Sequence, residues 1–172
     1  RVRAFGEVTQ ADLDGLKDDR EIWIDGERVK DVASDPRFEG AAATIAELFD
    51  LQSQPDLKDK MTYTSPTTGD AVGLSHIIPQ SKDDLLARRE MVKVWMDHTC
   101  GMFGRSMDFM NSLIAGLAAP WKDYNRDEPP FGTYLRDYYE YSRENDLVLT
   151  HTLVPPQVDR SRPIEEQTKD VA

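Results

Sequence analysis

One stretch in the middle of the chain holds the side chains whose types and spacing best fit chemistry. Gly101 and Gly104 precede Arg105 there, and Ser106 can cap the apolar helix that follows. An arginine at such a helix start can donate several hydrogen bonds to a carboxylate, a phenolate or a peroxide oxygen. The same spacing also fits ordinary turn glycines and a surface arginine that pairs with Asp108.

His151 is the second candidate, because it lies on a short β-type run between two threonines. An imidazole titrates near neutral pH and can take the proton of a phenol. A structural histidine that is satisfied by a neighbour fits the pattern equally well. His76 and His98 are expected to be structural. His98 and Cys100 are two residues apart without a third ligand nearby, so no metal site is predicted.

Composition narrows the class of protein. The net charge of −11 over 172 residues argues against large phosphate-rich partners, because binding to nucleic acid needs a basic face. The single cysteine, Cys100, excludes an internal disulfide and a multi-cysteine metal cluster. Since no run of about eighteen apolar residues occurs, no membrane span is predicted. The single cysteine also fits a cytoplasmic location, where disulfides are rare, and that location is expected.

The pattern of apolar residues predicts a mainly α fold with small β-hairpins. Asp25-Gly26 between alternating runs predicts one hairpin, and a second is expected from residues 61–64 and 71–78. Helices are expected at about 9–18, 41–51, 82–98, 107–119 and 131–145, and a β-type run at 147–154. Residues 1–145 then form a helical N-terminal domain, and residues 146–172 begin a β-rich domain.

Three of the expected helices carry further predictions. Ser81 and Asp84 have capping-box spacing at the start of the helix at 82–98, whose Leu85 and Trp95 should point inward. The helix at 107–119 is apolar nearly all round, which predicts a central position in the core. The tyrosines between 134 and 141 indicate a packed amphipathic helix rather than a cofactor site.

Seven stretches of the chain share one resemblance, and they are Ile22–Val29, Leu51–Gln52, Thr62–Gly69, Ile78–Leu85, Gly101–Asn111, Tyr138–Tyr141 and Asp146–Arg160. Together they resemble the oxygenase component of 4-hydroxyphenylacetate 3-hydroxylase and its phenol-hydroxylating relatives. The stretches occur in the order of that family and cover most of the chain. Each one alone is a weak signal, and their joint order makes the resemblance specific.

The resemblance implies an acyl-CoA-dehydrogenase-like fold and a two-component flavin monooxygenase. In that family a separate reductase supplies FAD in reduced form (FADH2), which reacts with O2 to give a C4a-hydroperoxyflavin. That species hydroxylates a phenol beside its hydroxyl group, and the protein holds the flavin and excludes water. The family also implies a homotetramer. The chain corresponds to the N-terminal domain and the first strand of the middle domain, so a fragment is expected.

The same resemblance implies which residues form the site. Arg105 matches an arginine that faces the phenol and the flavin peroxide, and His151 matches a histidine that hydrogen-bonds the phenolic oxygen and favours phenolate. These two are the catalytic candidates. The expected substrate-binding residues are Arg105, Ser106, Met107, Asp108, Phe109 and His151, and the expected flavin-binding residues are Gln157, Val158, Asp159 and Arg160.

The chain departs from the family at two positions near the arginine. Phe109 stands where the family often has a tyrosine, so the ring is kept and a hydrogen-bond donor is lost. Met107 replaces a proline. A less polar pocket is therefore expected, which favours phenols other than 4-hydroxyphenylacetate, including chlorinated or biosynthetic ones. The alternatives are a non-catalytic interaction domain with the family fold and a dehydratase relative, which would need more cysteines than Cys100.

Overall fold

The computed structural model describes residues 13–102, 107–126, 128–151 and 163, and within them the chain is mainly helical, as predicted. Residues 13–15 are helical, whereas the cap expected at 9–12 lies outside the described residues. The helices are α1 (Glu39–Ser53), α2 (Lys58–Met61), α3 (Lys82–His98), α4 (Met107–Ala118) and α5 (Phe131–Glu144). The strands are β1 (Ile22–Ile24), β2 (Glu27–Val29), β3 (Thr62–Thr64) and β4 (Ala71–Gly73), with 3₁₀ turns at Leu74–His76 and Trp121–Tyr124.

The first hairpin forms around the predicted Asp25-Gly26 turn. Ile24 pairs with Glu27 across an antiparallel ladder, so the turn has two residues. Asp25 and Gly26 both have positive φ, 51° and 80°, which the tight primed turns of hairpins require. The prediction from this dipeptide is confirmed.

The second hairpin is shorter than its sequence suggested. Thr62 pairs with Gly73 and β4 ends there, whereas the strand was expected to continue to Ile78. The chain turns instead into the 3₁₀ segment Leu74–His76. A side chain at position 73 would displace the buried Gln52, because a Cβ there would lie only 2.6 Å from the Gln52 Oε1 atom.

α3 begins with the predicted capping box. The Asp84 amide donates to Ser81 Oγ at 3.1 Å, and the Ser81 amide donates to Asp84 Oδ2 at 2.9 Å. The inward face of this helix is carried by Met91 and Trp95, which are buried, while Leu85 is exposed. The prediction for Leu85 is wrong, since Leu85 and its neighbour Leu86 are 55% and 45% exposed near the start of α3.

The main core lies where α1, α2 and α3 meet. Leu48, Met61, Met91 and Trp95 are its largest fully buried apolar side chains. The indole Nε1 atom of Trp95 donates to the Leu48 carbonyl at 2.9 Å, so the polar edge of this ring is satisfied inside the core. This bond also joins α3 to α1.

α4 is less central than its composition indicated. Ala115 and Ala118 are buried against Tyr139 of α5. Phe109, Leu113 and Leu117 form a stripe on the other side of the helix and are 41%, 38% and 39% exposed. An apolar pattern indicates which residues can be buried, but α4 packs on the described elements along one side only.

The run that carries His151 does not form a strand over its described part. Residues 147–151 belong to neither sheet, and residues 152–154 lie outside the described residues. A β-type run becomes a strand only when a neighbouring strand pairs with it, and no described strand does so here. Among the described residues, the structure also contains no helix that is both long enough and apolar enough to cross a membrane.

A partly buried ion pair ties the end of α5 to the loop of the second hairpin. Arg143 is only 3% exposed and donates from Nη2 to Thr67 Oγ1 at 2.7 Å and from Nε to Glu144 Oε1 at 2.8 Å. Ser65 and Thr68 donate their hydroxyl protons to the two Glu144 carboxylate oxygens at 2.6 and 2.8 Å. The charges are therefore both paired and hydrogen-bonded, as buried charges need to be.

We expect Glu144→Gln to weaken the protein most at neutral pH, by about 1–3 kcal/mol, because it removes a partly buried charge that accepts several hydrogen bonds. Burial opposes the charged form, but hydrogen bonds from Ser65, Thr68 and Arg143 outweigh it and hold the pKa of the Glu144 carboxyl below its ordinary value. Such a group stabilises the fold above its unfolded-state pKa, and this contribution is lost as the pH falls through its folded-state pKa. Urea unfolding at a series of acidic pH values measures the effect.

The matched control is Glu90→Gln, which removes an exposed carboxylate of α3. The difference in stability between the two variants should shrink toward acid pH. A constant difference across the acid range would contradict the assignment to Glu144.

Candidate active site

The structure brings Phe109 and His151 together from distant parts of the sequence. Their ring centroids are 6.1 Å apart and their planes are tilted by 31°. This separation is within the range in which aromatic rings interact. His151 is exposed and Phe109 is partly exposed, so the pair forms an accessible face of aromatic carbon and imidazole nitrogen.

The other predicted site residues are described only in part. Arg105 and Ser106 lie outside the described residues, and so do residues 157–160. Met107 is the first residue of α4, and only its backbone is described. The roles assigned to these residues stay predictions.

Asp108 lies in the first turn of α4 and contacts an arginine that the sequence did not single out. The Nη2 atom of Arg88 donates to the Asp108 carbonyl at 3.0 Å and lies 4.0 Å from its Oδ2 atom. Burial lowers the pKa of the Arg88 guanidinium, and the Asp108 charge opposes this shift. The sequence carried one signal, since Arg88 lies three and seven residues before the buried Met91 and Trp95, on the core-facing side of α3.

The 3₁₀ turn at Leu74–His76 sets the positions of α4 and α5. Asn111 Nδ2 donates to Ser75 Oγ at 2.8 Å, and both residues are buried. The Tyr139 hydroxyl donates to the His76 carbonyl at 2.6 Å. One short turn thus holds both α4, which carries Phe109, and α5, which leads to the segment with His151.

A second buried polar group holds the start of the segment that leads to His151. The Gln52 Nε2 atom donates to Asp146 Oδ2 at 2.8 Å, and the other Asp146 oxygen lies 3.6 Å from His76 Nε2. His76 itself is buried, which fits its expected structural role. Asp146 has a positive φ of 50°, so the chain reverses sharply here after α5.

A cleft of about 500 Å³ lies between α1 and the segment after α5. Ile45, Phe49 and Val148 contribute apolar walls, and Asp146 and Thr150 contribute polar ones. His151 and Phe109 are not among the residues that line it. The cleft is thus distinct from the face that the sequence predicted.

Two other residues of the types that bind metals are His98 and Cys100. His98 Nε2 lies 3.0 Å from Glu47 Oε2, which ties the end of α3 to α1. Cys100 is an exposed free cysteine. Within the described ranges, no cluster of three histidine, cysteine, aspartate or glutamate side chains could hold a metal ion.

The architecture resembles that of a solved oxygenase component. A crystal structure of the oxygenase component of 4-hydroxyphenylacetate 3-monooxygenase, complexed with FAD and 4-hydroxyphenylacetate, superposes with a TM-score of 0.82 at 37% identity. The match covers 94% of this chain and 33% of that chain. The fold class expected from the sequence is therefore confirmed.

The sequence comparisons lead to one family. Residues 10–172 match the family described as 4-hydroxyphenylacetate 3-hydroxylase N terminal, and the chain belongs to it. A 4-hydroxyphenylacetate 3-monooxygenase oxygenase component from Geobacillus sp. (strain PA-9) is 40% identical over 146 residues, 85% of this chain and 29% of that protein.

A more distant relative from Streptomyces globisporus is 37% identical over 158 residues, which are 90% of this chain and 28% of that protein. Its name describes a monooxygenase of a carrier-protein-bound (3S)-3-amino-3-(3-chloro-4-hydroxyphenyl)propanoyl group. The chain thus spans less than a third of the length of these relatives.

We expect Tyr139→Phe to destabilise the fold by about 1–3 kcal/mol, because it removes the donor to the buried His76 carbonyl. Tyr141→Phe is the matched control, since that tyrosine is exposed on the same helix. Urea unfolding of both variants measures the difference. Equal midpoints for the two variants would show that the turn does not depend on this bond.

Proposed function

We propose that this chain is the N-terminal part of an oxygenase that hydroxylates a phenol beside its hydroxyl group. Reduced FAD, when bound, supplies the electrons and the O2 activation that this reaction needs. Family membership supports the class of reaction, and the FAD in the solved relative supports the cofactor. The proposed flavin contacts are residues 157–160, on the strength of the resemblance.

The observation that carries the proposal is the approach of the His151 and Phe109 rings. A phenol that stacks on Phe109 can present its hydroxyl group to the imidazole of His151. When the imidazole accepts the proton, the ring becomes a phenolate and gains electron density at the carbon beside the oxygen. An electron-rich carbon attacks an electrophilic oxygen more readily. Arg105, as the resemblance implies, would add a cation that binds the substrate and the developing negative charge.

The substrate class follows from the side chain at position 109. Phe109 offers a stacking surface without a hydroxyl donor, which favours phenols with apolar or halogen substituents over 4-hydroxyphenylacetate. The Streptomyces relative named for a chlorinated phenol supports this breadth within the family. Further parts of the proposal are a separate flavin reductase as partner, a homotetrameric assembly and a cytoplasmic location.

The deciding experiment replaces His151 by alanine in the full-length gene product, with reduced FAD supplied chemically and product measured by chromatography. Loss of the base should lower the hydroxylation rate by about 10²- to 10⁴-fold, while more of the consumed O2 appears as hydrogen peroxide. His98→Ala is the control, because His98 lies outside the site and pairs with Glu47. Hydroxylation by His151→Ala at the rate of the control would sink the role assigned to His151, whereas no hydroxylation of any phenol by the unsubstituted protein would favour an interaction domain.

Phe109→Tyr tests the proposed substrate preference. A restored hydroxyl donor should raise kcat/KM for 4-hydroxyphenylacetate by about fivefold to tenfold relative to an apolar phenol, which is the effect of one added hydrogen bond. Phe131→Tyr adds the same hydroxyl group to an exposed ring of α5 and should change neither value. An unchanged ratio between the two substrates in Phe109→Tyr would contradict the role of position 109 in specificity.

A further inference from the structure

We propose that Arg88 is a positioning residue that holds the first turn of α4 so that the Phe109 ring faces His151. Its effect on hydroxylation rests on the proposed function, but its effect on the position of the ring does not. Arg88 belongs to α3, and neither the fold class nor the resemblance pointed to it.

The contact of Arg88 is directed at the backbone of α4. Its Nη2 atom lies 3.0 Å from the Asp108 carbonyl oxygen and 4.0 Å from Asp108 Oδ2. Since Asp108 directly precedes Phe109, a shift of this carbonyl also moves the ring of Phe109. A displacement of about 1 Å at a reacting centre can cost on the order of 10²-fold in rate.

The stability of the fold gives little reason for an arginine at this position. The Arg88 side chain is 16% exposed, and its Nε atom is buried without a hydrogen-bond partner among the described residues. An incompletely satisfied buried charge costs free energy, and an apolar side chain of similar length often packs equally well or better. The arginine is thus better explained by the contact it makes than by the burial it provides.

The fold should survive the loss of this side chain. The Ser112 hydroxyl also donates to the Asp108 carbonyl, so that oxygen keeps a partner when Arg88 is replaced. One turn further along, Asn111 anchors α4 to Ser75. Only the first turn of α4, which carries Phe109, then loses a support, and the ends of helices fray most easily.

The test uses the full-length gene product with 4-fluorophenylalanine incorporated at position 109. Arg88→Gln removes the charge, and Arg89→Gln is the matched control because Arg89 is the adjacent, exposed arginine of the same helix. We expect the ¹⁹F resonance to shift or broaden in Arg88→Gln and to stay unchanged in the control. In proteins with the natural Phe109, we expect kcat/KM to fall by about 10- to 100-fold in Arg88→Gln only, with a similar melting temperature.

Two further variants distinguish positioning from a general loss of stability. Asp108→Asn keeps the carbonyl that accepts the 3.0 Å bond, so it should change the ¹⁹F signal less than Arg88→Gln. Arg88→Lys keeps the charge and an N–H donor but loses the planar guanidinium, so it should give an intermediate signal and an intermediate rate. If Arg88→Gln does not fold, the comparison of Arg88→Lys with Arg89→Lys decides the question in the same way.

The results separate the two proposals. A ¹⁹F signal and a rate in the Arg88 variants equal to those of the Arg89 controls would overturn the positioning role. A changed ¹⁹F signal in proteins that hydroxylate no phenol, wild type included, would support the positioning role while the proposed function fails.

Discussion

The short turn at Leu74–His76 is the constraint on which the arrangement of the helices depends. The turn is buried, so its polar groups cannot reach water, and two of them find hydrogen-bond partners on neighbouring helices. Ser75 is paired with Asn111 of α4, and the His76 carbonyl accepts the Tyr139 hydroxyl of α5. Because the turn follows β4 directly, these two hydrogen bonds fix α4 and α5 relative to the second hairpin.

The two halves of the candidate site rest on separate supports. Phe109 is held through the first turn of α4, which Arg88 contacts from α3. His151 follows a segment whose start is held by Asp146, and Asp146 in turn is held by Gln52 of α1. The distance between the two rings therefore depends on the packing of α1, α3, α4 and α5 together. A change in any one of these helices can alter the site without touching either ring.

Much of the local structure could be predicted from the sequence, because the rules that govern it act over a few residues. Asp25-Gly26 defined a hairpin, and Ser81 with Asp84 defined the start of α3. Three predictions failed because the outcome depended on distant neighbours. They were a strand that reaches Ile78, an inward Leu85 and a central position for α4. β4 stops at Gly73 because the chain must enter the buried turn, and the apolar stripe of α4 faces away from the elements that pack on its other side.

The sequence by itself determined the first hairpin, the longer helices in their order and the family, since propensity, capping and motif order are written in adjacent residues. It also identified Phe109 and His151 as candidates through the resemblance, but not their separation. Only the tertiary structure decided that their rings lie 6.1 Å apart and that Arg88 of α3 reaches the Asp108 carbonyl. Such contacts join residues far apart along the chain. Their geometry is set when side chains pack the interior and buried polar groups form hydrogen bonds at the same time.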